Sequence, residues 1–189
     1  MIWDHLISRV LAREGGWSDR TEDKGGPTNM GITLGTFAAW KGKDLSKTIG
    51  NDRTELVLDL KSMTEGEARS IYLQRYVKDT GLELLASDAL QEAMFDWVVN
   101  SGPKWPIMAL QRELAVGADG VLGPTTAEAA AKKDGNRLAM RVCFARVEFI
   151  ANWMRRDKRD ADRDGVPDSM ENAAGILLRI VALARGIAI

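Results

Sequence analysis

The chain has 189 residues, enough for one domain or one domain with two lobes around a real core. Hydrophobic residues make up 45% and charged residues 28%, and the formal net charge of −1 gives no general pull toward nucleic acid or an anionic membrane. The single cysteine, Cys143, excludes an internal disulfide, and the single histidine, His5, excludes a histidine-based metal site or catalytic triad.

The first helix is expected over residues 2–14, where Ile2, Leu6, Ile7, Val10 and Leu11 recur at helical spacing and Gly15-Gly16 stop the run. Asp4, His5, Arg9 and Arg13 break any apolar core of a signal peptide there. No run of 18 apolar residues predicts a membrane span, and GILLRIVALARGIAI is too short and holds two arginines. Residues 17–33, rich in Gly, Asp, Thr and Asn, read as a short hairpin or compact excursion.

Helices dominate from there. TLGTFAAW is a short candidate, and TEGEARSIYLQRYV opens with a capping box, Thr64 with Glu67. SDALQEAMFDWVVN ends at Gly102-Pro103; PIMALQREL follows Pro106, and TTAEAAAKK follows Gly123-Pro124, with proline suited to a first turn. Long helices are expected over about 136–156 and 169–184. The expected fold is mostly α: a helical bundle with one small β-hairpin near the N-terminus. The expected lobes are 1–102 and 103–189, divided at Ser101-Gly102-Pro103.

Chemistry concentrates in EGGWSDRTEDKGGPTNMGIT. Glycoside hydrolysis needs a carboxylic acid that stays protonated near neutral pH, and a second group across the scissile bond. Glu14, at a helix end with an apolar face behind it, suits the first. Asp23, nine residues on, suits the second; Asp19 and Glu22 lie close enough to take its place. Thr28 and Asn29 can hydrogen-bond a water or a sugar, and the paired glycines leave room for a saccharide to approach the backbone. Trp3, Trp40, Trp97, Trp105 and Trp153 are read as core residues, whereas Trp17 adjoins the acid.

This stretch resembles the signature of glycoside hydrolase family 108, lysozyme-like muramidases found among phage endolysins and secretion-associated enzymes. The resemblance rests on Glu14, Gly15, Gly16 and Trp17, then Asp23, Gly25, Gly26, Thr28, Asn29, Gly31, Ile32 and Thr33. It continues in IYLQRYV, with Val77 where the family usually has Trp, and in FDWVVNSGP. ALQRELAVGADGVLGPTTAEA resembles the peptidoglycan-binding region appended to these enzymes. The resemblance implies an α+β lysozyme-like fold and cleavage of the β-1,4 bond between N-acetylmuramic acid and N-acetylglucosamine. It implies Glu14 as acid, Asp23 and Thr28 as helpers, and Trp17, Asn29, Tyr76 and Asn100 near substrate. A monomer without a signal peptide, delivered from the cytoplasm to the cell wall by a holin or an export system, is the expected biology.

Residues 160–171, DADRDGVPDSME, match a twelve-residue EF-hand calcium loop. Asp160, Asp162 and Asp164 take positions 1, 3 and 5, Gly165 takes 6, the Val166 carbonyl 7, Asp168 9 and Glu171 12. Pro167 has no N–H for pairing with a partner loop, so a solitary Ca2+ site is expected. Arg159 and Arg163 weaken it by repulsion. The expected role is to fix the C-terminal helix against the long one. The alternative reading is a calcium-dependent cell-wall-binding protein without catalysis.

Overall fold

The computed structural model describes residues 2–19, 26–156 and 168–187. Two compact units, Met1–Arg75 and Tyr76–Ile189, divide the chain. This division falls within the stretch expected to form the first lobe.

In the first unit, α1 (Ile2–Leu11) buries Leu6, Ile7 and Val10. The Glu14 N–H still donates to the Val10 carbonyl, 2.9 Å, so Glu14 stands just past the last helical turn. Strands β1 (Thr28–Asn29) and β2 (Ile32–Thr33) pair antiparallel, Asn29 against Ile32. The two residues between them, Met30 and Gly31, have φ of 47° and 74°. Positive φ at both central positions is what a type I′ hairpin turn demands. The Ser18 and Thr28 backbones exchange two hydrogen bonds, both 2.8 Å, which bring the chain after Glu14 alongside β1.

Thr33 caps α2 (Leu34–Trp40), its hydroxyl accepting from the Thr36 N–H. Next comes α3 (Gly50–Lys61), a helix that buries Leu56 and Leu60 and begins at Ile49 without a side-chain cap. The predicted capping box opens α4 (Glu65–Tyr72): the Thr64 hydroxyl accepts from the Glu67 N–H, and the Glu67 carboxylate from the Thr64 N–H. Arg69 on α4 reaches α1, donating to the Ser8 hydroxyl at 2.9 Å. A π-helical stretch, Leu73–Lys78, follows directly.

In the second unit, α5 (Asp88–Ser101), α6 (Lys104–Glu113) and α8 (Gly135–Arg156) pack on one another, and α9 (Asp168–Ile187) packs along α8. Between α6 and α7 (Pro124–Ala131) one residue organises the turn. The Gln111 side chain, 1% exposed, donates to the Asp119 carboxylate (2.7 Å), the Val121 carbonyl (3.0 Å) and the Thr126 hydroxyl (3.2 Å). Its oxygen accepts from the Gly120 N–H at 2.9 Å. The Asp119 carboxylate also accepts from the Val121 N–H, and these bonds hold its carboxyl below the usual range.

Buried between α5 and α8 is an ion pair: the Arg146 guanidinium, 2% exposed, donates to Asp96 at 2.6 Å. Among the described residues no helix is long and apolar enough to cross a membrane.

Candidate active site in the first unit

Glu14 is half-buried, and what holds it is the hairpin turn. Gly31 lies so close that a methyl group on its Cα would sit 2.8 Å from Glu14 Cγ and 2.9 Å from Cδ. The same methyl would be 2.5 Å from the Tyr72 hydroxyl oxygen. That hydroxyl donates to the Met30 carbonyl at 3.1 Å, and Tyr72 itself is 1% exposed. Carboxyl and phenol therefore converge on one turn, which only glycine fits. The backbone just beyond Glu14 is uncrowded among the described residues: a Cβ at Gly15 or Gly16 would meet none of their atoms within 4 Å. A carboxyl group packed against the turn, beside an uncrowded backbone, can be reached by a bulky ligand.

The expected partners of Glu14 fare differently. Thr28 lies on β1, its hydroxyl donating to the Gly26 carbonyl at 3.1 Å. Trp17 is half-buried, with the Lys61 ammonium 5.6 Å from its ring centroid. Asp19 is exposed; Asp23 and Glu22 lie outside the described residues.

Asn29, expected to meet substrate, is 5% exposed, and its amide donates to the carbonyls of Leu60 (2.9 Å) and Lys61 (3.2 Å). It fastens the hairpin to the C-terminal end of α3, satisfying carbonyls that a helix end leaves unpaired. Its amide donors are spent on the scaffold.

Tyr76 and Asn100 belong to the second unit. Tyr76 is half-buried in the π-helical stretch, and its carbonyl accepts from the Thr80 hydroxyl at 2.8 Å. Asn100 ends α5, its side-chain oxygen accepting from the Ser101 hydroxyl (3.1 Å) and from Arg146 (3.4 Å). Of the calcium-loop residues, Asp160, Asp162, Asp164 and Val166 lie outside the described residues, whereas the Asp168 and Glu171 backbones belong to the first turn of α9.

Tyr72 is the site residue that sequence reasoning missed. It sits in the same IYLQRYV motif as Tyr76, but on the face of α4 that also buries Ala68 and Ile71, and so reads as core.

A family model described as Glycosyl hydrolase 108 matches residues 7–102, just over half the chain. The chain belongs to this family. A second model, described as Predicted Peptidoglycan domain, matches residues 105–174. Together the two matches support a peptidoglycan hydrolase. The solved structures similar to this glycosyl hydrolase include one titled "Structure of Brucella abortus SagA", with a TM-score of 0.75 and 26% identity. The alignment covers 98% of this chain and 93% of that one. No curated protein matches the chain in sequence. The family boundary, between 102 and 105, and the boundary between compact units, at 75/76, differ because α5 packs on α6 and α8.

Proposed function

We propose that this hydrolase is a muramidase that cuts the β-1,4 bond between N-acetylmuramic acid and N-acetylglucosamine, with Glu14 as general acid. The observation that carries this reading is the clamp on Glu14: the Met30–Gly31 turn and Tyr72 pack one side of it, and the Gly15-Gly16 backbone next to it is uncrowded among the described residues. Glu14 protonates the glycosidic oxygen as the bond to the anomeric carbon breaks. Charge then builds on the sugar ring, and a carboxylate on the opposite face stabilises it or orients the attacking water. Asp23 takes this second role, with Thr28 as a helper. The site of action is the cell wall, reached by way of a holin or an export system.

The test is turbidity loss on outer-membrane-stripped cells, wild type against Glu14→Gln, with mass spectrometry of the products. Loss of roughly 10²–10⁴-fold is expected for removal of a general acid. Full activity in the amide variant removes Glu14 from the mechanism, and products with the other reducing-end sugar overturn the muramidase assignment.

We further propose that Ca2+ binds Asp160, Asp162, Asp164, Asp168, Glu171 and the Val166 carbonyl. The spacing of these oxygen donors supports it, as does the start of α9 at Asp168. Calcium would then fix the C-terminal helix against the long one and leave the chemistry to Glu14. Melting of the full chain with Ca2+ and with a chelator tests this. A higher melting temperature in Ca2+ supports it, and identical melting with identical activity overturns it.

A further inference from the structure

The second unit carries a groove of its own. It lies between α6 and α8 and encloses about 550 Å³, within the range of about 300–1,000 Å³ typical of small-molecule sites. Four aromatic rings line it. Trp97 is 1% exposed and forms the floor with Phe149, their centroids 5.8 Å apart. Trp105 lies 5.9 Å from Phe149, and Trp153 is half-buried beside them. Trp105, expected in the core, is 47% exposed at the first turn of α6. Across α8 a second hollow of about 420 Å³, bordered by Asn100 and Ile176, shares Phe149 and Trp153 with the first.

The polar groups around the groove decide the ligand class. Arg112 and Arg156 are balanced by Glu113 and Glu148, and Asn152 adds a planar amide. Glu113 is also paired with Arg141. A peptide stem bearing several carboxylates would call for cations with no carboxylates set among them, and an acyl chain for an uninterrupted apolar lining. Neither is present. A pyranose ring has an apolar C–H face for an indole and a rim of hydroxyl and acetamide groups for carboxylate, amide and guanidinium partners. The Trp97 indole N–H is buried at the floor without a partner among the described residues. That atom has no accessible surface, so it belongs to the packed floor, and the exposed Trp105 ring is the one a ligand can touch.

We infer that the groove between α6 and α8 is a non-catalytic binding site for a β-1,4-linked N-acetylhexosamine strand. It rests on the peptidoglycan reading above, and all its lining residues except Trp97 fall within 105–174. Such a site holds the polymer while Glu14, in the first unit, does the chemistry.

The experiment uses the full chain carrying Glu14→Gln. The probes are a β-1,4-linked N-acetylglucosamine tetramer, a peptidoglycan stem peptide free of sugar, and intact sacculi. We expect Trp105→Ala to weaken tetramer binding about tenfold, as truncation of an aromatic anchor does. Asn152→Ala, at an exposed position whose loss leaves packing intact, should weaken it less, with unchanged melting. The tetramer, and not the stem peptide, should displace the chain from sacculi. In the active chain the same substitutions should raise KM on sacculi while kcat holds. Tetramer binding untouched by both substitutions, or displacement by the stem peptide alone, overturns the inference while leaving the hydrolase reading intact. Conversely, a chain that binds the tetramer through Trp105 but never cleaves sacculi refutes the hydrolase reading and leaves the groove standing.

Discussion

Replacing Gly31 by alanine tests the construction of the candidate site more directly than replacing Glu14, the proposed acid. Two costs arise together. At φ +74° an L side chain is strained, by roughly 1–2 kcal/mol. The new methyl would also stand 2.5 Å from the Tyr72 hydroxyl and 2.8–2.9 Å from Glu14, against a comfortable separation of about 3.5–4.0 Å. Tyr72 is buried and hydrogen-bonded to the Met30 carbonyl, so it gives little. Glu14 is only half-buried, whereas Tyr72 is buried, so the Glu14 side chain is the group expected to move. A displacement of about 1 Å at a catalytic group costs about 10²-fold in turnover. The expected result for Gly31→Ala is therefore a fall in kcat on sacculi of about 10²-fold. The melting temperature should drop by several degrees, at roughly 2–4 °C per kcal/mol for a chain this size. Adding Tyr72→Phe removes the closest clash and should restore part of the activity. Wild-type turnover in Gly31→Ala would refute the idea that the turn positions Glu14, even if stability falls as expected.

Three further outcomes follow from the packing. Asn29→Ala should cost about 1–3 kcal/mol in denaturant unfolding, because the Lys61 carbonyl loses the Asn29 amide and the Leu60 carbonyl is left with backbone donors alone; an unchanged midpoint would show that water replaces the amide. Arg146→Met should cost about 3–5 kcal/mol by leaving Asp96 buried without its partner. The double variant Arg146→Met/Asp96→Leu should recover much of that loss, and additive losses would contradict the account. Burial pushes the Cys143 thiol up to about 11, so its neutral form favours the fold. That contribution is present in full below the ordinary thiol range and fades as pH rises from there toward about 11. Native chain at pH 8 should react with a disulfide reagent far more slowly than unfolded chain, and equal rates would place Cys143 outside the core.

Much of this was legible beforehand where local chemistry and tertiary need agree. Thr64 with Glu67 announces α4, and Pro124 announces α7. α3 went unread because only Leu56 and Leu60 face the core and Ile49 provides no cap, so neither periodicity nor a start signal marks it. Asn29 was read as a sugar contact because an amide looks the same in sequence whether it faces ligand or helix end. Its carbonyl partners lie more than 30 residues away. The family signature thus mixes residues that do chemistry with residues that hold the turn in place. Tyr72 and Trp105 erred in opposite directions. One is a buried ring whose hydroxyl reaches the site, the other an apparent core ring that the fold leaves on the surface.

The Gln111 hub has a consequence for how the second unit assembles. All its partners lie within 15 residues, so the α6–turn–α7 segment closes short loops and can organise as soon as it exists. The Arg146–Asp96 pair spans 50 residues and must wait for α8. We expect pulse-labelled amide exchange during refolding to protect the Gly120 and Val121 N–H groups before the facing turns of α5 and α8. The reverse order would mean that the buried charges nucleate the unit, whereas loop closure makes them its last fastening.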